Sequence, residues 1–507
     1  MIRNALRKTY TIMYLLLFLW IILQAAIVSY SRVGIALIFT IPLLALVWFG
    51  IFRCIAAKER SPKWFFWAWI ILHILSCIVT AVFMYVLEMK LHWDWKEIIS
   101  TAYTYVTEGY FPDDKYVYYA RYPNNKFWLS CMIIFFKVIH RIVPVLSKRA
   151  MKWASMVMTA TLAQISLTLI YQTARMWMRE IHAFFTGCIA IFFLPFYLYA
   201  GYSYTDTPSM FLSALILFLS SVLIKKKMKK WQQILCLVLL GMVLAFGFRL
   251  KVLVVIQAIA LLIELFLSGS GKIALVKKLL AVALVLVCFV PSYLLCEKVA
   301  NHYMVVTDEL SDRYELPLTH WIMMGLHGRG GYEASLLAYS ESFPSYAEKK
   351  EGIARKMNEM MQEMGSGGFL KHIFVDKLRF TWADSTMRGD WFGTRKPRRQ
   401  GMLWNIMDLE GKNHKVAWEY TCPYWMLVLI GMALSGWYAL TKKPDPDSDS
   451  PDLFAIGRLA LLGLFLFLSI WEANARYAFC LMPVMIFVSG QGWGEAWQAL
   501  IAPRLEK

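Results

Sequence analysis

An aspartate lies between two tryptophans, Trp93-Asp94-Trp95, just past a long apolar run and inside a polar, aromatic-rich segment from Leu91 to Trp128. A carboxylate at a membrane boundary is costly unless something there needs it. Screened by rings, Asp94 has the setting of a general base with a raised pKa that takes the proton of an acceptor hydroxyl. The plainer alternative is an interfacial tryptophan belt with an incidental acid. Further on, Arg121, Tyr122, Pro123, Asn124 and Asn125 combine a fixed backbone with one charge and several hydrogen-bond donors, which suits a polar substrate or a turn ahead of a helix. Tyr204-Thr205-Asp206-Thr207-Pro208 puts a second acid at the start of another apolar run, where Asp206 serves equally as a helix N-cap before proline.

Cations complete the set. Arg249 and Lys251 fall between two apolar runs, and the motif WEANARY brings Glu472, Arg476 and Tyr477 to the end of a late one. Ionisable groups at membrane depth are functional candidates because burying them without a partner is expensive, and arginine suits a phosphate. Snorkelling, or a Glu472–Arg476 pair on one helix, is the structural alternative. No glycine-rich phosphate loop accompanies these groups, so any phosphate they handle is presented within the membrane.

The elements that must position these residues are helices. With 507 residues, 59% of them hydrophobic and only 17% charged, the chain is too apolar for a soluble protein. Runs long enough to cross a bilayer fall at residues 10–30, 33–51, 64–88, 151–172, 183–200, 207–224, 232–249, 252–268, 279–296, 421–440, 453–470 and 477–491. The expected fold is therefore an all-α polytopic membrane protein of about 12 transmembrane helices. The first run follows MIRNALRK but is too long for a signal peptide and lacks a small-residue cleavage site, so it is taken as an uncleaved span.

The net charge of +19 comes from short basic clusters between apolar runs, a pattern of topology and anionic-lipid contact rather than of nucleic-acid binding. Taking Arg53–Lys63 and Lys225–Lys230 as cytoplasmic puts residues 91–126 and the Asp206 turn outside, with both termini inside. The two anchors agree only if 127–146, with Lys137, His140 and Arg141, lies along the outer surface instead of crossing. That leaves Lys148, Arg149 and Lys152 outside, against the usual bias. The nine cysteines are scattered singly, without metal or redox spacing. Four regions follow: a two-span extension at 1–63, a membrane core at 64–296 with its first outer loop at 89–150, a mixed extracytoplasmic domain at 297–420, and C-terminal spans with a cytoplasmic tail at 421–507.

An outer loop carrying an Asp after an early helix, a flat amphipathic helix behind it, a second Asp in SYTDTP and the late WEANARY helix end together resemble the GT-C superfamily of membrane glycosyltransferases. Within it, the chain is similar to bacterial enzymes related to protein O-mannosyltransferases and to those decorating lipid A or cell-wall polymers. Two spans precede the family's usual first helix, so residues 64–89 take that role.

The resemblance implies an inverting transfer of a sugar from a polyprenyl-phosphate donor to a glycan, glycolipid or protein acceptor at the extracytoplasmic face of the cell membrane, most naturally the bacterial plasma membrane. It makes Asp94 and Asp206 the catalytic acids. Arg249, Lys251, Arg476 and Arg121 become donor-phosphate ligands, and Trp93, Trp95, Tyr122, Asn124, Asn125, Glu472 and Tyr477 contact substrate. Partners are the lipid-linked donor, membrane lipids and the acceptor, with no nucleic acid. No cofactor is required, and because Thr205 and Thr207 flank Asp206 instead of a second acid, a divalent metal is the less favoured variant. The competing readings are a lipid-linked saccharide flippase, which would place its ionisable groups near the bilayer midplane, and a polysaccharide polymerase or ligase.

Overall fold

The computed structural model describes residues 2–56, 60–269, 272–442 and 450–500. The middle of the first basic anchor loop, most of the polar linker TKKPDPDSDSPD and the tail from residue 501 lie outside the described residues. Lipid offers the backbone no hydrogen-bond partner, so apolar segments must satisfy their peptide groups internally, as helices. Every described apolar run is accordingly helical, and among the described residues extended pairing is confined to one isolated bridge between Met89 and Pro397.

Nine of the described helices are long and apolar enough to cross a membrane. A pair bent by 46°, Glu180–Ile191 with Pro195–Gly201, makes a tenth. Its break falls where Pro195 opens the second piece, since proline cannot continue the preceding hydrogen-bond ladder. Two expected spans take other forms. Run 252–268 is the shorter helix Val252–Leu267, and run 477–491 divides into Ala475–Ala478, a 3-10 turn and the helix Met482–Leu500. Of the twelve expected runs, nine or ten are thus long helices by length and composition, and two are irregular.

The helix ends sort into two faces. At one face the Arg7 side chain reaches Glu264, which accepts from Asp452 N at 3.4 Å, and nearby Phe454 packs on Trp177, whose ring lies 4.3 Å from the Lys225 ammonium, so the described parts of the basic N-terminus and the second anchor loop share a side. At the other lie Trp93–Glu108, Asp113–Arg121, Asn125–Ile142 and the large region after Tyr303. Asn125–Ile142 is one-sided: Phe127, Trp128, Ile133 and Phe136 are buried, while Ile134, Val138 and Ile142 are exposed. Lys137 rests 5.0 and 4.8 Å from the rings of Tyr105 and Tyr303. An apolar exposed stripe beside basic groups is what a helix lying in a membrane interface displays.

The region from Met304 to Asn413 is a set of short helices around Tyr346–Lys371, with its own apolar cluster of Met323, Met324, Leu336, Ile353 and Met360. It clasps the end of the Leu453–Ile470 helix. Lys377 Nζ donates to the carbonyls of Ser469 and Trp471 at 3.0 and 2.7 Å, satisfying groups that a helix C-terminus leaves open. Ala473 N donates to Gly330 O at 2.6 Å, and a Cβ at Gly325 would lie 2.7 Å from the carbonyl oxygens of Ile470 and Trp471, so only glycine permits that approach. The clasp holds the loop containing Glu472 and Arg476.

Candidate active site

Asp206 opens the Asp206–Lys225 helix, yet its carboxylate does not cap it: Thr205 sits at the cap position and no side-chain cap bond forms. The fully buried carboxylate instead pairs with Lys251 and lies 3.7 Å from Arg476 Nε. Lys251 can turn inward because the chain is extended there, between the Lys230–Leu250 helix and a short 3-10 turn. Arg476 is set by Asn474, whose side chain accepts its backbone N–H at 3.0 Å. The guanidinium is 4.2 Å from the Phe392 ring, 5.5 Å from Tyr477 and 5.8 Å from Tyr204. Burial works against its charge, and the Asp206 carboxylate beside it offsets that cost.

At Asp206 itself one carboxylate thus faces two cations, a local excess of positive charge that suits an anion, while the acids Asp94 and Glu472 stand on the flanks. The site also has unspent polar capacity. Asp206 Oδ2, Arg476 Nε and the hydroxyls of Tyr202, Ser203 and Thr207 are buried without a protein hydrogen-bond partner. Buried polar groups are normally paired with protein or ordered water, so such a concentration is where water or a polar ligand belongs.

Asp94 stands in the first turn of Trp93–Glu108 and is tied to this cluster by a chain of hydrogen bonds. Its Oδ1 accepts from the Tyr118 hydroxyl at 2.7 Å, the Tyr118 oxygen accepts from Asn125 Nδ2 at 2.8 Å, and Asn125 Oδ1 accepts from the Tyr204 hydroxyl at 2.8 Å. Tyr204 in turn lies against Arg476. On the other flank, Glu472 accepts from the Tyr477 hydroxyl at 3.1 Å, and the Tyr477 ring lies 5.4 Å from Lys251 Nζ. Burial pushes the Glu472 carboxyl up to about 7; Asp94 adds to this, while Arg476, Tyr477 and Lys377 oppose it.

The structure therefore gathers Asp94, Asn125, Asp206, Lys251, Glu472, Arg476 and Tyr477. Trp95 is buried beside them, 5.7 Å from the Tyr202 ring. Trp93 is exposed at the edge, and Asn124 touches Asn125 at 3.5 Å. Arg249 is not among them: it donates to the Tyr293 hydroxyl at 3.2 Å and stacks on that ring. Arg121 turns toward the region from Met304 to Asn413, with Nε 2.5 Å from Glu341 Oε1, and Tyr122 follows it toward Trp321. Sequence reasoning passed over Tyr118 and Phe392 as site residues and named Tyr204 only as part of the cluster around Asp206. The YVYYARYPNN run was a signal for Tyr118, but nothing local ties Phe392 to Arg476.

A protein-family model described as "Conserved hypothetical integral membrane protein" matches residues 1–497. No curated protein matches the chain. Among solved structures, the chain is similar to the archaeal oligosaccharyltransferase AglB from Archaeoglobus fulgidus in complex with an inhibitory peptide and a dolichol-phosphate, at 11% identity and TM-score 0.42, covering 85% of this chain and 51% of that one. It is also similar to ArnT from Cupriavidus metallidurans bound to undecaprenyl phosphate, at 12% identity and TM-score 0.34, covering 86% of this chain and 80% of that one. The chain spans about half the length of the oligosaccharyltransferase it matches.

Proposed function

The chain belongs to the conserved hypothetical integral membrane protein family, and we propose that this multi-pass membrane protein is a glycosyltransferase of the GT-C kind, moving a sugar from a polyprenyl-phosphate donor to an acceptor hydroxyl at the extracytoplasmic face of a bacterial plasma membrane. The observation that supports this reading best is the buried, net-positive cluster of Asp206, Lys251 and Arg476, joined to Asp94 by hydrogen-bonded side chains. Asp94 takes the proton as the acceptor oxygen attacks the anomeric carbon. The bond from that carbon to the phosphate oxygen breaks, and Lys251 and Arg476 stabilise the charge that gathers on the departing lipid phosphate. Attack opposite the leaving group inverts the anomeric centre. No metal is needed where two cations already meet the phosphate.

Membranes containing the protein, supplied with radiolabelled polyprenyl-phosphate sugars, should transfer label to an endogenous acceptor. Lipid translocation without transfer from any donor would favour a flippase and sink the proposal. The geometry also separates the two arginines. Arg476→Gln should weaken polyprenyl-phosphate binding roughly ten- to a hundredfold, the cost of one charge-assisted hydrogen bond, whereas Arg249→Gln should stay within about twofold. Equal losses in nanodisc binding assays would contradict this division.

Glu472 predicts a pH effect. Its folded pKa of about 7 lies above the ordinary carboxylate value of 4.5, so the folded state binds more protons between those limits. Stability is then highest below the lower value and falls as pH rises toward the upper one, by at most about 3 kcal/mol. Thermal unfolding in detergent should show this decline in the parent, and Glu472→Gln should flatten it. A decline of the same size in the variant would assign it to another group.

A further inference from the structure

Beside the mouth of the Asp94 site, two strips far apart in sequence are joined edge to edge. Met89 bridges Pro397, Lys90 N donates to Lys396 O at 2.8 Å, and Arg398 N donates to Glu88 O at 2.7 Å. The basic run Lys396–Arg399 is thereby laid against the segment that leads into Asp94. Glu88 is the hub: it binds Lys152 at 2.7 Å, Arg149 at 2.6 Å and Arg398 at 3.2 Å. Burial opposes its charge, but the bonds from Arg149 and Lys152 pull its carboxyl down to about 2. Lys152 is buried, whereas Arg149 and Arg398 remain 50% and 38% exposed. Arg399 lies 4.9 Å over the Tyr85 ring, and Lys90 and Lys396 are exposed. One carboxylate is shared by three cations, and three more stand around it.

The strip continues into an aromatic plate. Trp93, next to Asp94 in the chain, is 42% exposed and holds a left-handed backbone at φ 46°, a conformation that bulky residues avoid unless their surroundings impose it. Its ring faces Trp391 at 6.0 Å with 23° between planes. Arg395 covers the Trp391 ring at 3.9 Å. Trp391 already carries Trp93 and Arg395, so the free indole surface beside the proposed base is that of Trp93, a flat apolar face of the kind on which a sugar ring packs.

We propose that the plate and the strip together bind the acceptor, and that the acceptor is an anionic saccharide: a sugar ring lies on Trp93, which Trp391 backs, and its phosphate or carboxylate groups meet Arg149, Arg398 and Arg399. The word acceptor rests on the transferase reading above; the binding surface does not. Headgroups of the surrounding bilayer would be met by mobile lysines anywhere on the rim. Arg149 and Arg398 are instead fixed by the buried Glu88, which also holds Lys152, and Arg399 is held over the Tyr85 ring.

The test uses the full chain in zwitterionic nanodiscs and two fluorescent probes, a phosphorylated mannan oligosaccharide and its neutral counterpart of equal length. The phosphorylated probe should bind at least about tenfold tighter, and its advantage should shrink with added salt as exposed charges are screened. Arg149→Gln with Arg399→Gln should remove the advantage, and Trp391→Ala should weaken both probes. Equal affinity for the two probes at every salt concentration overturns the proposal without any variant. So does a parent protein that shows no glycan preference but retains phosphatidylglycerol in an arginine-dependent way, which would assign the strip to membrane headgroups. Sugar transfer is measured alongside. Glycan preference without transfer from any polyprenyl-phosphate sugar sinks the transferase reading and leaves this surface standing; transfer to a neutral acceptor, unchanged in the double variant, does the reverse.

Discussion

Asp94→Asn is expected to lower sugar transfer by about 10²- to 10⁴-fold, the usual contribution of a positioned general base, while leaving polyprenyl-phosphate binding within about twofold. The substitution keeps the shape of the side chain, and its amide oxygen can still accept from the Tyr118 hydroxyl, so the hydrogen-bonded path through Asn125 to Tyr204 has no reason to collapse. What disappears is the ability to hold the acceptor's proton. Both quantities should be measured on the same nanodisc preparation, with thermal stability as the control. Near-parental turnover in a stably folded variant would remove Asp94 from the mechanism and make Glu472, whose pKa of about 7 also suits proton transfer, the carboxylate to examine next.

Asp206→Asn should have the largest effect on stability. Asp206 is the buried counter-charge of both Lys251 and Arg476, and removing one partner of a buried ion pair costs about 3–5 kcal/mol because the other charge stays behind without compensation. If Asp206 were only the start of a helix, the loss would be nearer 1 kcal/mol. The two cases differ further in their response to ligand. Added polyprenyl phosphate supplies the missing negative charge, so it should raise the unfolding temperature of Asp206→Asn more than that of the parent. An unfolding temperature indistinguishable from the parent's, or one that the lipid does not move, would show that the cluster is not an anion seat.

The helical character of the chain was legible from composition and run length alone, because lipid leaves an apolar segment no alternative. The unequal lengths were not. Val252–Leu267 and the broken stretch around Phe479 are as apolar as their neighbours, and only packing against Asp206 and Lys251 shows why the chain is irregular there. Among site residues, Asp94, Asp206, Lys251 and Arg476 stood out because charges at membrane depth need a reason. Arg249 stood out for the same reason, although its partner is the Tyr293 hydroxyl. Sequence shows that a charge must be satisfied but not by whom.

Arg149 and Lys152 make the same point in reverse. As sequence they are basic residues on the unexpected side of the membrane, and in the fold both find Glu88. Asp206 was ambiguous between cap and ligand until the backbone of Thr205 decided it. The docking of Phe392 and the Lys396–Arg399 run depended on long-range pairing, which no local pattern encodes.

The seat at Asp206 also carries an order of assembly. Asp206 and Lys251 are close in the chain and lie on neighbouring helices, whereas Arg476 is supplied by the penultimate stretch of the described fold. During synthesis the first two can neutralise one another while more than two hundred residues remain unmade. A half-built chain is therefore electrically quiet at this point, and the second cation facing Asp206 arrives, together with Glu472, only when the later helices dock. Ligand affinity would then report completed folding: a nascent or misassembled chain lacks the feature that draws an anion, and a lipid phosphate arriving at the finished seat would hold the late helices in place, acting as a clasp on the final step of maturation.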